Sequence, residues 1–340
     1  MQKPFPILTE LNIRYMDNRM ASLIPDSFLG GSAPRLRRLN LGYFPFPGLP
    51  KLLLSATDLV HLELRETTDS GYIPADAMVT CLSTLTRLEF LMLRFESPRP
   101  LLEWERRRPS SSTRALLPSL VDFTFRGVGE YLELIVDRID APLLDRVKIE
   151  SLHRPIFDTT QLAQFIGRLP KFKTCNEASI CLSRDGHASV ELYSLSKTTT
   201  NASLLLEDWL GQPGFQLSTL VQLCTLSVPQ ALIPSVERLI VVGMYFSRPL
   251  GQDGDSTLWR ELLQPFTAVK DLYLSPEIAP HIALVLQGLV GESVMELLPV
   301  LQNIVLKDLQ PSGLVPEGIE QFVAARQLAS HPISVSRWEY

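Results

Sequence analysis

Leu36-Arg-Arg-Leu39-Asn-Leu41 sets three leucines at spacings of three and two, and the pattern L-x-x-L-x-L returns along the chain. It stands again at Leu8-Thr-Glu-Leu11-Asn-Ile13 and at Leu59-Val-His-Leu62-Glu-Leu64. Runs of the same or closely related form begin at Leu88, Leu120 and Leu144, then at Cys175, Val236, Val269 and Leu301. Among the first six, successive starts lie 28, 23, 29, 32 and 24 residues apart. A unit of that length, one strand-like run plus one helix-like segment, cannot bury its apolar face alone and has to stack on its neighbours.

Between the runs lie segments with helical signals. Ala75 to Leu82 follows a proline, as a helix start often does. Gly129 to Ile139 and Asp158 to Leu169 carry apolar residues at spacings of three and four, the second opening on a cap-like Asp158. A helix starting near Asn18 is expected to stop at Gly30-Gly31. The expected fold is α/β: a leucine-rich-repeat solenoid with a curved parallel sheet on its concave side and helices on its convex side. Residues 1–340 are expected to form a single domain of about ten to eleven irregular units.

Two stretches break the rhythm. Phe95 to Arg114, with its prolines, three successive arginines and a serine run, reads as an exposed insertion loop. From Cys181 to Val236 the repeat stretches to double length, and Val190-Glu-Leu-Tyr193 and Ser203-Leu-Leu-Leu206 are extra strand candidates. One full unit with a degenerate strand is expected there.

Of the 340 residues, 45% are hydrophobic and 20% charged, enough for a large core. A net charge of -5 supplies no global positive field, so neither nucleic acid nor an anionic membrane is the expected partner. The longest apolar run, Ile282 to Val290, is too short to span a membrane and reads as a buried helix. Cys81, Cys175, Cys181 and Cys224 form no C-x-x-C pair and have no histidine at metal-ligand spacing, so they read as reduced core residues with no metal bound. No phosphate loop, H-E-x-x-H motif or nucleophile elbow is present, and the five histidines share no spacing. The chain is expected to be non-enzymatic, to need no cofactor and to reside in the cytoplasm or nucleus.

Side chains alternate along a strand, so the third, fifth and seventh places of each run are expected on the concave face while the leucines point inward. The seventh place holds Arg14, Gly42, Arg65, Arg94, Arg126 and Glu150. Neighbouring strands lie about 4.8 Å apart, so Arg14, Arg65, Arg94 and Arg126 form a candidate partner-binding column for an acidic or phosphorylated segment. Glu10, Glu63 and Asp122 stand in adjoining columns and can instead tie these arginines into a solvated mixed network. Ile240, Val242, Tyr273 and Val305 occupy the same kind of place in later units and form a second, apolar candidate surface. Either that patch binds a partner, or the segment from Ile333 to Tyr340, with Trp338, folds over it.

Asp58-Leu-Val-His-Leu-Glu-Leu-Arg-Glu-Thr-Thr-Asp-Ser-Gly-Tyr-Ile-Pro74, Leu85 to Pro98 and the tail Leu309 to Leu328 resemble the repeat region of F-box-like proteins of mushroom-forming fungi. The resemblance implies an adaptor: an F-box delivers the protein to a cullin-type ubiquitin ligase, and the repeats choose the substrate. Only seven residues precede the first run here, so the expectation is that this chain is a fragment, a copy that has lost its F-box, or a bare recognition solenoid. A cullin adaptor is expected as a partner only if an F-box lies upstream; otherwise the chain is a standalone interaction or sensor repeat protein.

Overall fold

Every one of the ten apolar runs opens a strand two residues after its first apolar position. In the computed structural model the described residues are 5–14, 24–43, 46–67, 73–95, 114–152, 159–183, 187–194, 202–209, 216–244, 255–289, 291–307 and 315–338. They divide into two compact units. The first holds strands β1 (Glu10–Arg14), β2 (Arg38–Gly42), β3 (His61–Thr67), β4 (Phe90–Phe95), β5 (Ala115–Leu116), β6 (Asp122–Gly127), β7 (Ile139–Asp140) and β8 (Arg146–Leu152). Its helices are α1 (Leu49–Ser55), α2 (Ala75–Thr84), α3 (Gly129–Val136) and α4 (Thr160–Arg168). Strands β1, β2, β3, β4, β6 and β8 pair in that order, all parallel, and β5 pairs with β7 apart from them.

The second unit holds β9 (Glu177–Ser183), β10 (His187–Tyr193), β11 (Ser203–Trp209), β12 (Arg238–Met244), β13 (Asp271–Leu274), β14 (Asn303–Lys307) and β15 (Ser334–Trp338). Its helices are α5 (Gln216–Gln222), α6 (Asp255–Leu263), α7 (Ala279–Gln287) and α8 (Glu317–Leu328). The strand order is β11-β10-β9-β12-β13-β14-β15. Strands β9, β12, β13, β14 and β15 are parallel, but β10 runs antiparallel to both β9 and β11. The two extra strand candidates are therefore real, yet they form an antiparallel meander in place of one degenerate parallel unit. The fold is mixed α/β with mostly parallel strands.

The leucine pattern builds the core. Leu36, Leu39, Leu41, Leu59, Leu62, Leu64, Leu88, Leu91 and Leu93 are buried, and so are their counterparts in later runs from Leu120 to Leu306. Full burial of one such side chain stabilises by about 1.5–3 kcal/mol. Ahead of the runs the chain makes a tight turn whose first apolar residue is buried: the Leu36, Leu59 and Leu88 amides donate to the carbonyls of Ala33, Ala56 and Leu85 at 3.0, 3.0 and 3.1 Å. Later turns repeat this at Ala141, Phe172, Ile233 and Leu298. At the second place of eight of the ten runs one carbonyl accepts two amides of the neighbouring repeat, as Arg37 does from Val60 and His61, and Val60 from Glu89 and Phe90. This shared acceptor, recurring in both units, satisfies backbone groups between neighbouring repeats without an asparagine side chain.

Helices α3 and α4 bury the expected stripes, Tyr131, Leu132, Ile135 and Val136 on one, Leu162, Phe165 and Ile166 on the other. The predicted buried helix around Ile282 is α7. Residues 28–31 form a single 3-10 turn in which Leu29, Gly30 and Gly31 all take positive φ, so that segment does not end as a regular α-helix. The start expected near Asn18, the expected cap Asp158 and most of the Phe95–Arg114 insertion lie outside the described residues. Among the described residues no helix is long and apolar enough to cross a membrane.

Helix α4 receives its N-terminal cap from the helix before it. The Gln161 and Leu162 amides donate to the two carboxylate oxygens of Glu133 on α3, at 2.8 and 2.9 Å. A carboxylate on two otherwise unpartnered amides also faces the positive end of the helix dipole. Glu133→Ala is expected to lower stability by about 2 kcal/mol and Glu133→Gln by about half of that. Urea unfolding midpoints measure both; a Glu133→Ala midpoint equal to that of the unaltered protein would contradict the cap.

Candidate functional site

On the first unit, the face opposite the leucines carries three rows of side chains in register. One row reads Glu10, Arg38, His61, Phe90, Asp122 and Arg146; the next Asn12, Asn40, Glu63, Met92, Thr124 and Lys148. In the third, Arg14 aligns with Gly42 and Arg65, and Arg94 with Arg126 and Glu150; a register shift after Leu64 interrupts the pairing of β3 with β4. The four arginines predicted from the sequence thus stand on one face, in two groups.

Each group is organised by one buried carboxylate. Glu63, 4% exposed, accepts hydrogen bonds from Asn40 and Arg65, and lies 3.5 Å from Arg14 and 3.6 Å from His61. Glu150, 7% exposed, lies 3.5 Å from Arg94, 3.7 Å from Arg126 and 3.3 Å from Lys148. Asp122 pairs with Arg146 at 2.8 Å. The expected mixed network is present, but its hubs are Glu63 and Glu150. Arg14 and Arg65 meet at Glu63, and Arg94, Arg126 and Lys148 meet at Glu150, on a chain that is negative as a whole. His61 stacks on Phe90 beside them, ring centroids 4.2 Å apart and planes 3° from parallel.

On the second unit, Ile240, Tyr273 and Val305 stand side by side in one row, flanked by Ser179 and Ser336. Val242 lies one row along, opposite Cys181. Val305 is nearly buried and the other three are half-buried. Segment 334–338 does not fold over this patch: β15 extends the sheet beside β14, and Ser336 continues the row itself. The patch is bordered by a polar chain that sequence reasoning did not single out. Arg238 donates to Glu177 at 2.8 Å and lies 3.9 Å from Asp271; Asn303 donates to Asp271 at 2.7 Å, and Ser334 to Asn303 at 2.5 Å. These residues open successive strands, where the charges of Glu177, Arg238 and Asp271, alternating in sign, were the available signal. The Arg238 guanidinium sits 5.5 Å over the Tyr273 ring. Burial pushes the Glu177 carboxyl up, opposed by Arg238, and pushes the Tyr193 hydroxyl up to about 12.

Cys81, Cys175 and Cys224 are buried free thiols, and burial pushes them up to about 11, 12 and 12. Cys181 is free and only half-buried. Among the described residues no group of three or more His, Cys, Asp or Glu side chains is placed to hold a metal ion.

No family model matches this chain, and no curated protein matches it. The resemblance to fungal F-box-like proteins therefore gains no support. Among solved structures, the leucine-rich repeat-containing protein LegL7 from Legionella pneumophila aligns with 96% of this chain and 92% of its own, at 15% identity and a TM-score of 0.34. At that score nothing is carried from LegL7 to this chain.

Proposed function

We propose that this protein is a protein-binding repeat scaffold whose first unit takes an acidic or phosphorylated segment of a partner. The carrying observation is the gathering of cations on one face, where two arginines meet at Glu63 and two arginines with a lysine meet at Glu150, Arg14 and Arg65 with side chains 47% and 36% exposed. A planar guanidinium bonds two oxygens at once, so a phosphate or carboxylate is the chemistry that the exposed arginines suit. Ile240, Val242, Tyr273 and Val305 supply a smaller apolar contact on the second unit.

Fluorescence anisotropy with serine-phosphorylated, unphosphorylated and polyglutamate peptides tests the reading. The phosphorylated and acidic peptides are expected to bind, more weakly as salt rises. Arg65→Glu combined with Arg94→Glu is expected to weaken them by at least about tenfold, two charge reversals facing one anionic ligand. Equal affinity for the charged and uncharged peptides, or unchanged affinity in the double variant, would remove the proposal.

Substrate recognition in a cullin-type ubiquitin ligase is the narrower form of this reading and is supported by the resemblance of residues 58–74, 85–98 and 309–328 alone. It predicts co-purification of a cullin adaptor with the full-length protein from its native cell. A standalone interaction protein predicts binding partners without that adaptor.

A further inference from the structure

Three side chains converge on the face of the β9–β10–β11 meander opposite Ile180, Val190 and Leu206. Cys181 stands directly across from Ser189 on β10, and Ser189 directly across from Glu207 on β11. His187 lies two residues before Ser189 on the same face, diagonal to Cys181 across the β9–β10 pair, its Nε2 3.6 Å from Glu207 Oε1. Imidazole and carboxylate are largely enclosed, at 13% and 12% exposure, whereas Cys181 is half-buried. The antiparallel turnback creates this arrangement, because it brings residues 181 and 187 together through neighbouring strands.

Partners on both sides keep His187 protonated. Its pKa is pushed up to about 9, first by the neighbouring Cys181 side chain, then by the Glu207 carboxylate, against the opposing effect of burial. A cation fixed beside a sulfur stabilises the negative charge that develops there during nucleophilic attack, and Glu207 holds the cation in place.

We infer that Cys181 is a covalent modification site, a thiol prepared by His187 and Glu207 to react with soft electrophiles, hydroperoxides foremost. With a hydroperoxide the sulfur attacks one peroxide oxygen, the S–O bond forms as the O–O bond breaks, and two electrons pass from sulfur to the peroxide. The thiol proton goes to the departing oxygen, so the products are a sulfenic acid and water or an alcohol. The new polar group stands opposite Val242, at the border of the apolar patch.

The test treats the full-length protein with iodoacetamide, and separately with hydrogen peroxide and a sulfenic-acid trap, and follows each cysteine by peptide mass spectrometry. Cys181 is expected to react at least about tenfold faster than Cys81, Cys175 and Cys224, which burial alone would also favour, and to acquire the trap. The deciding variant is His187→Gln, expected to slow Cys181 by about fivefold while the thermal midpoint shows that the protein is folded. Glu207→Gln is expected to slow it in the same direction. Should neither variant fold, the unaltered protein decides: Cys181 trapped as a sulfenic acid supports the site. An unchanged Cys181 rate in a folded His187→Gln protein, or no trapped product in the unaltered one, overturns it.

Discussion

Replacing Arg326 with alanine is expected to destabilise the second unit by about 3–5 kcal/mol, the cost of stripping the partner from several buried polar groups at once. Arg326 lies on α8 and is fully buried. Its Nη1 donates to the Pro299 carbonyl at 3.1 Å and contacts the Met295 sulfur; its Nη2 donates to the carbonyls of Leu298 and, at 3.4 Å, Leu297. Three successive carbonyls converge on one guanidinium because Leu298 takes a left-handed backbone, φ 49°, which few residues with a branched side chain adopt. The guanidinium also lies over the Phe322 ring, 5.2 Å from its centroid. Burial draws the arginine's pKa down from its ordinary value, yet a guanidinium stays charged, so the carbonyl dipoles carry the compensation. Alanine would leave the Leu297, Leu298 and Pro299 carbonyls without this donor and open a cavity beside Phe322. Lysine should rescue little, since one ammonium cannot reproduce the fork. Urea unfolding gives the loss, and hydrogen exchange should show reduced protection over residues 317–328. An Arg326→Ala protein within about 0.5 kcal/mol of the unaltered one, the range of ordinary surface substitutions, would show this account wrong.

Gly318→Ala is expected to cost about 3 kcal/mol, large for one added methyl group. Gly318 opens α8, where it packs on α7 with no side chain between the two backbones. A Cβ at 318 would press on the Ala283 carbonyl oxygen, lie 2.8 Å from its carbon and 3.2 Å from Gln287 Cβ. The first two atoms are backbone inside a helix and cannot rotate aside, so α8 has to move away from α7. That movement loosens Ile319 and Phe322, both buried on the same helix. Thermal unfolding of Gly318→Ala beside Gly288→Ala provides the comparison: a Cβ at 288 meets nothing nearer than 3.5 Å and should cost far less. Equal midpoints for the two variants would count against the close approach.

Much of the framework was legible in residue order. L-x-x-L-x-L states a local period, and a period-2 strand puts leucines on one face and the intervening residues on the other whatever lies elsewhere in the chain. The rows containing Arg14 and Arg65, Arg94 and Arg126, and Ile240, Tyr273 and Val305 follow from that alone. A wider reading of the repeat would have added the small or apolar residue three places ahead of several runs, at Ala33, Ala56, Leu85 and Ala141, whose carbonyls close the turn into the strand. The cap on α4 was not legible, because Glu133 meets Gln161 and Leu162 only when two helices pack.

Sequence by itself determined where the ten repeat strands begin and which of their side chains share a face; it also put all four cysteines in the core, where Cys181 proved half-buried. Tertiary structure decided which charges meet. Glu63 and Glu150 became the hubs of the arginine clusters because neighbouring strands lock in register across connections of unequal length, a distance no local period encodes. The same holds for the meander that reverses after β9: Val190 and Leu206 mark strands in either direction, but only the antiparallel pairing seats Cys181, His187 and Glu207 together. Alternation is a property of one strand, whereas charge pairing belongs to strands that have already found each other.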